Sequence, residues 1–218
     1  MAEVRCWAIG IDEVREMFAA SPTLSARLLE LAEPAFPVPP SPPPRPGLLG
    51  KLGPLLRRPP DAPVVTPGSP TRLDAESLVR GRFVPQSRLE PAWVLVERWL
   101  DDLAWSHARW ELTDHELDSL DFDLARAGVV SQHGVRHLWG RDARLTLRPL
   151  PGAQVGYLRY QNALALADDW ARALPQLEGD AARTAAEVTA FLEGLRGAAD
   201  AASEAGRPTP DVVTLRTH

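Results

Sequence analysis

The sequence predicts an α+β protein: a helix-dominated single domain with a small sheet formed by terminal and central short strands. Three observations carry this. Runs rich in β-favouring residues stand at both ends of the chain, "EVRCWAIGI" and "DVVTLRT", and a third, "QVGYLRY", lies between them. Most other apolar residues recur at three and four, the spacing of helices. Residues 34–70 hold 14 of the 22 prolines, so a linker-like segment parts residues 1–33 from a main body, 71–218, with apolar surface for one shared core.

The elements follow in order. "EVRCWAIGI" reads as a short buried strand, after which Asp12 is placed to cap a helix bearing Val14, Met17 and Phe18. Ser21 followed by Pro22 starts a second helix with Leu24, Leu28, Leu29 and Leu31 as its stripe. Residues 37–46 are expected to be extended, since proline fixes its own φ and biases its predecessor away from helix. Inside the proline segment "GLLGKLGPLLRR" sets five leucines, Leu48, Leu49, Leu52, Leu55 and Leu56, beside Lys51, Arg57 and Arg58. This island is expected to dock on its own domain, on a partner, or on an anionic membrane surface.

From Glu90 the pattern is helical again, and "EPAWVLVERWLDDLAWSHARWEL" reads as one long helix carrying Trp93, Trp99, Trp105 and Trp110. So many indoles imply burial on more than one side, or an exposed aromatic patch. Thr113 and Asp114 are candidate caps for the next helix, and "SQHGVRHLWG" is a short helix ended by Gly140. Asn162 opens a helix with Leu164, Ala167, Ala171 and Leu174 on one face. A last helix with Val188, Phe191, Leu192 and Leu195 runs to a C-cap at Gly206.

Composition excludes several classes. At 44% hydrophobic and 24% charged, the chain is too apolar for wholesale disorder. No apolar run approaches the roughly 20 residues that cross a bilayer, and the N-terminus lacks the basic stretch and cleavage site of a signal peptide. One cysteine, Cys6, makes no disulfide framework and fits a reducing compartment, so the expected location is cytoplasmic. Arginine supplies 23 of the 24 basic residues, the mark of a GC-rich genome. A net charge of −5 argues against nucleic acid as a partner.

There is no phosphate loop, nucleophile elbow, H-E-x-x-H or C-x-x-C. Cys6 reads as structural, because a reactive thiol needs exposure and a positive neighbourhood. His133 and His137 are four apart, a metal-ligand spacing on a helix, and Asp121 and Asp123 are candidate further ligands. Residues 101–123 hold eight acids and one arginine. Of these, Asp114, Glu116 and Asp118 read chiefly as a solvated face near a helix start, and next as a docking site for a basic partner.

The stretch from "LDFDLARAG" through "HLWGRD" and "VGYLRY" to "DDWARAL" resembles the YfbM-like, DUF1877-type family of small bacterial proteins of unknown function. The matching residues are Leu120, Asp121, Asp123, His137, Gly140, Tyr157 and Leu158, and the opening and closing segments resemble the family's ends. The resemblance implies an α+β fold, and no activity.

The expected function is that of a non-catalytic cytoplasmic interaction or accessory protein, an immunity-type role included, with no cofactor and a protein partner. Its contact would use Trp99, Trp105, Trp110, Asp114, Glu116 and Asp118, together with the leucine island. The alternatives are a metal-dependent hydrolase built on His133, His137, Asp121 and Asp123, and a peripheral membrane protein attached through residues 47–58.

Overall fold

The computed structural model describes residues 2–37 and 68–217. The leucine island falls outside these residues. β1 (Ala2–Ile9), β2 (His107–Leu112), β3 (Arg141–Asp142), β4 (Gln154–Leu158) and β5 (Asp211–Thr217) form one antiparallel sheet. The strand order is β2-β1-β5-β4-β3. First and last strands therefore lie side by side at its centre, with Trp7 opposite Val213. Around the sheet stand α1 (Ile11–Glu16), α2 (Pro22–Ala32), α3 (Arg72–Val79), α4 (Leu89–Leu103), α5 (Asp114–Arg126), α6 (Tyr160–Ala173), α7 (Gly179–Glu193) and α8 (Leu195–Glu204). The chain forms the helix-dominated α+β domain that its sequence predicts.

Alternation along the central strands makes two cores. Trp7, Ile9, Val213 and Leu215 meet α1 to α4 on one face. Val4, Cys6, Ala8 and Val212 meet α5, α6 and α7 on the other. Burial on both faces is why "CWAI" and "DVVTL" read as nearly continuous apolar runs. Cys6 is wholly buried against the Thr214 hydroxyl, 3.4 Å away, and burial pushes its thiol up to about 12.

Buried indoles fasten the layers, because each donates a hydrogen bond that fixes its orientation. Trp7 donates to Asp101 at 2.7 Å, Trp99 to the Leu28 carbonyl at 2.9 Å, Trp93 to the Arg148 carbonyl at 2.9 Å and Trp170 to the His133 carbonyl at 2.7 Å.

The expected tryptophan-rich helix is corrected. α4 ends at Leu103, and the chain turns through Trp105 into the strand β2, which holds Trp110. The last expected helix is two, α7 and α8, meeting at Gly194, where glycine weakens a helix interior. Gly206, with φ of +66°, does follow the end of α8. α6 buries Ala163, Leu166, Ala167, Trp170 and Ala173 most fully, so of the expected face Ala167 is central while Leu164 and Leu174 pack at the margin of the core, the stripe being centred on its largest apolar side chain, Trp170.

Ser21 and Thr113 cap their helices as expected. Asp12 and Asn162 do not. α1 begins after Gly10 and α6 after Arg159; neither N-cap residue supplies a side-chain cap, though Glu13 of α1 accepts from the Gly10 N–H at 3.2 Å. One buried carboxylate from β5 serves both: Asp211 accepts from the Ile11 N–H at 3.2 Å, the Tyr160 N–H at 3.0 Å and the Arg159 guanidinium at 3.0 Å. A buried acceptor with three donors is costly to remove. Asp211→Ala should therefore lose about 3 kcal/mol in urea unfolding. Asp12→Ala and Asn162→Ala should each lose less than about 1 kcal/mol. Equal losses at the three positions would contradict the shared cap.

Candidate functional site

Among the described residues, β2 stands at one edge of the sheet and pairs only with β1. Its sequence alternates: Ala108, Trp110 and Leu112 turn to the α5–α7 core, while His107, Arg109 and Glu111 are exposed on the other face. Arg109 is paired there with Glu3 at 2.8 Å and Glu111 at 3.1 Å, and Arg5 joins Glu3 to Glu97 of α4. Among the described residues, no backbone hydrogen bond leaves the outer edge of β2.

Along that edge runs a cleft of about 460 Å³ between β2, α5 and the first turns of α7. Trp110 lies in its wall, 8% exposed, packed edge-to-face on Phe191 with ring centroids 5.9 Å apart. Five carboxylates line it, from Glu116, Asp123, Glu178, Asp180 and Glu187, with the Arg183 guanidinium, while Arg109 and Glu111 border it from the edge strand with their charged ends paired on the other face. Helix starts account for some of these acids. Glu116 closes the Thr113 capping box, and its carboxyl is held below the ordinary range by the Thr113 N–H and hydroxyl. Asp180 sits in the first turn of α7 beside Arg183. Asp123, in the last turns of α5, and Glu187, in the middle of α7, have no such reason to be acidic. Neither is in an ion pair among the described residues. The cleft is left with a negative field open to solvent.

The other expected contact residues are mostly engaged inside the molecule. Trp99 is wholly buried in the α2–α4 core and offers no surface. Trp105 is half-buried under the Arg207 guanidinium, 4.5 Å from its ring centroid. Asp114 pairs with Arg216 and Asp118 with Arg136. Asp121 accepts the Val135 N–H at 2.6 Å, and burial, partly offset by that bond, raises its carboxyl above the ordinary value. These acids hold the 131–139 segment and β5 to α5.

The expected metal ligands do not converge. Residues 131–139 form two short 3₁₀ turns in place of one helix, since Gly134 interrupts them. Among the described residues, no group of three or more His, Cys, Asp or Glu side chains is placed to hold a metal ion. His133 instead pairs with Asp169 of α6, which also accepts from Arg172. That His133 bond, ahead of the partial burial opposing it, holds the Asp169 carboxyl below its ordinary value, so Asp169 accepts and His133 Nδ1 donates. An imidazole so oriented can relay a proton, but the adjoining cleft is lined by Gln132, His137, Arg141 and Asn162 and by no hydroxyl or thiol. With the His133 carbonyl bonded to Trp170, the pair fastens this segment to α6.

Sequence reading missed Arg109, Glu111, Glu178, Asp180, Arg183 and Glu187. The alternation of polar and apolar residues from His107 to Leu112 was the available signal for the edge strand. No protein-family model matches the chain, and neither does any curated protein or solved structure.

A carboxylate with a lowered pKa stabilises the fold above its unfolded value, about 3.9 for Asp, and loses that contribution as pH falls through the folded value. The thermal-stability deficit of Asp169→Asn should therefore be full at about pH 5 and shrink as pH approaches about 2.5. A deficit constant over that range would contradict the pairing.

Proposed function

We propose that this is a non-catalytic interaction protein of the bacterial cytoplasm, which holds a protein partner by adding an extended, basic segment of it to the edge of β2. The observation that carries this is the unpaired edge of a six-residue strand beside an acid-lined cleft. An exposed edge offers a row of N–H and C=O groups, and a partner strand satisfies them while its alternate side chains enter the adjoining cleft. Asp123 and Glu187 would meet basic side chains there, and Trp110 their aliphatic stems. The buried, unreactive Cys6 is in keeping with the compartment. Nothing in this reading needs a cofactor. No helix among the described residues is long and apolar enough to cross a membrane.

A short alternating Arg–Thr peptide, followed by fluorescence anisotropy, tests the reading. It should bind saturably at low salt, whereas the Glu–Thr counterpart should not. The double variant Asp123→Lys/Glu187→Lys should weaken binding by about tenfold or more. Equal binding of both peptides, or no effect of the reversals, would overturn it.

A further inference from the structure

The opposite end of the sheet carries the opposite charge. A cleft of about 650 Å³ opens between the Gly134–Gly140 segment, the loop 143–153, β4 and the end of β5. Arg136, Arg144, Arg148 and Arg216 line it, with Asp142 as the sole lining carboxylate, on a chain whose net charge is −5.

Two of the four guanidiniums are already compensated. Arg136 pairs with Asp118 and with Asp121, and Arg216 with Asp114. Arg144 and Arg148 form no ion pair among the described residues. Arg216 is 5% exposed, its guanidinium lies 5.5 Å from the centroid of the Trp139 ring, and its Nε–H has no hydrogen-bond partner. That Nε–H is itself enclosed, so Arg216 forms a fixed part of the wall and is not a donor to the cleft.

The wall is built to hold its shape. Arg144 is the one non-glycine residue with positive φ among those described, at 52°, and its N–H is bonded to the Asp142 carboxylate at 2.8 Å. Glycine or asparagine would occupy that backbone with less strain, so the strain is retained together with an arginine side chain. Arg148 is fixed at both ends. Its carbonyl accepts from buried Trp93, and its guanidinium lies 5.1 Å from the centroid of the Phe83 ring and donates one long hydrogen bond, 3.4 Å, to the Val84 carbonyl. Trp139 is seated by Gly156, where any Cβ would stand 2.3 Å from the Trp139 carbonyl oxygen. Leu145, Leu147 and Val155 supply an apolar portion of the lining.

We infer that this cleft binds a small organic phosphate, with the dianion at Arg144 and Arg148 and the organic body against Trp139 and the apolar lining. Two uncompensated guanidiniums match the roughly −1.5 to −2 charge of a phosphomonoester near neutral pH. Guanidiniums are suited to phosphate because their donors meet its oxygens in pairs.

Isothermal titration of the full chain with phenyl phosphate, and with inorganic phosphate alongside, tests this. Phenyl phosphate should bind saturably at one site and more tightly than inorganic phosphate. Arg144→Ala and Arg148→Ala, both at exposed positions whose variants should keep the native circular dichroism, should each weaken it by about tenfold or more. Arg126→Ala, a surface arginine on α5, should not. No saturable binding, equal affinity for the two phosphates, or an equal effect of Arg126→Ala would overturn the inference.

Discussion

The Asp211 carboxylate is the contact on which the layered arrangement turns. It lies at the first residue of the central strand β5, 4% exposed, and takes a hydrogen bond from the start of α1 on one face of the sheet and from the start of α6 on the other. A helix start has unsatisfied N–H groups and a partial positive charge, so a buried carboxylate there meets donors and field together. Arg159 then balances the charge. One side chain thus fixes where both helical layers begin relative to the strand they cover. The register of β5 against β1 sets Asp211 opposite Ile9 at that same place and Thr217 opposite Glu3 at the far end of the pair.

Once the middle of the sheet is fixed in this way, its two ends are free to differ. The β2 edge is walled by acids on α5 and α7, and the β4 side by arginines from the 134–148 segments and β5. A net charge of −5 describes neither surface. Fields of this kind reach about 8 Å at physiological salt, so each end acts on its surroundings with little interference from the other. The acids of α5 that do not face the β2 cleft are consumed by Arg136, Arg216 and the Val135 N–H, which is how a run of acids becomes a structural brace.

Much of the fold was legible because its signals are local. The β-branched terminal segments, the caps at Ser21 and Thr113, and the stripes of Val14, Met17 and Phe18 or Val188, Leu192 and Leu195 all arise within a few residues of one another. The failures have one physical origin, tertiary partners. Asp12 and Asn162 were the plausible local caps, yet Asp211 does their work, 200 residues from Ile11 in the chain. The stretch from Glu90 to Leu112 reads as one helix because Trp110 falls seven residues, two helical turns, after Leu103 by coincidence. The period-two alternation from His107 onward was the competing signal. Of the candidate site, Glu116 and Trp110 were legible as residues but not as a wall of the β2 cleft. Asp123 reads as a possible metal ligand, and Glu187 carries no local signal of its own. Only the packing of α7 beside β2 brings them together.

The measurement that bears most directly on the central claim is amide hydrogen exchange along β2, with and without a bound basic peptide. Strand addition predicts that the outer-edge amides between His107 and Leu112 exchange freely in the unbound protein and become protected on binding, while α4 is unchanged. Saturated binding with β2 still unprotected would contradict the account and place the contact elsewhere on the molecule.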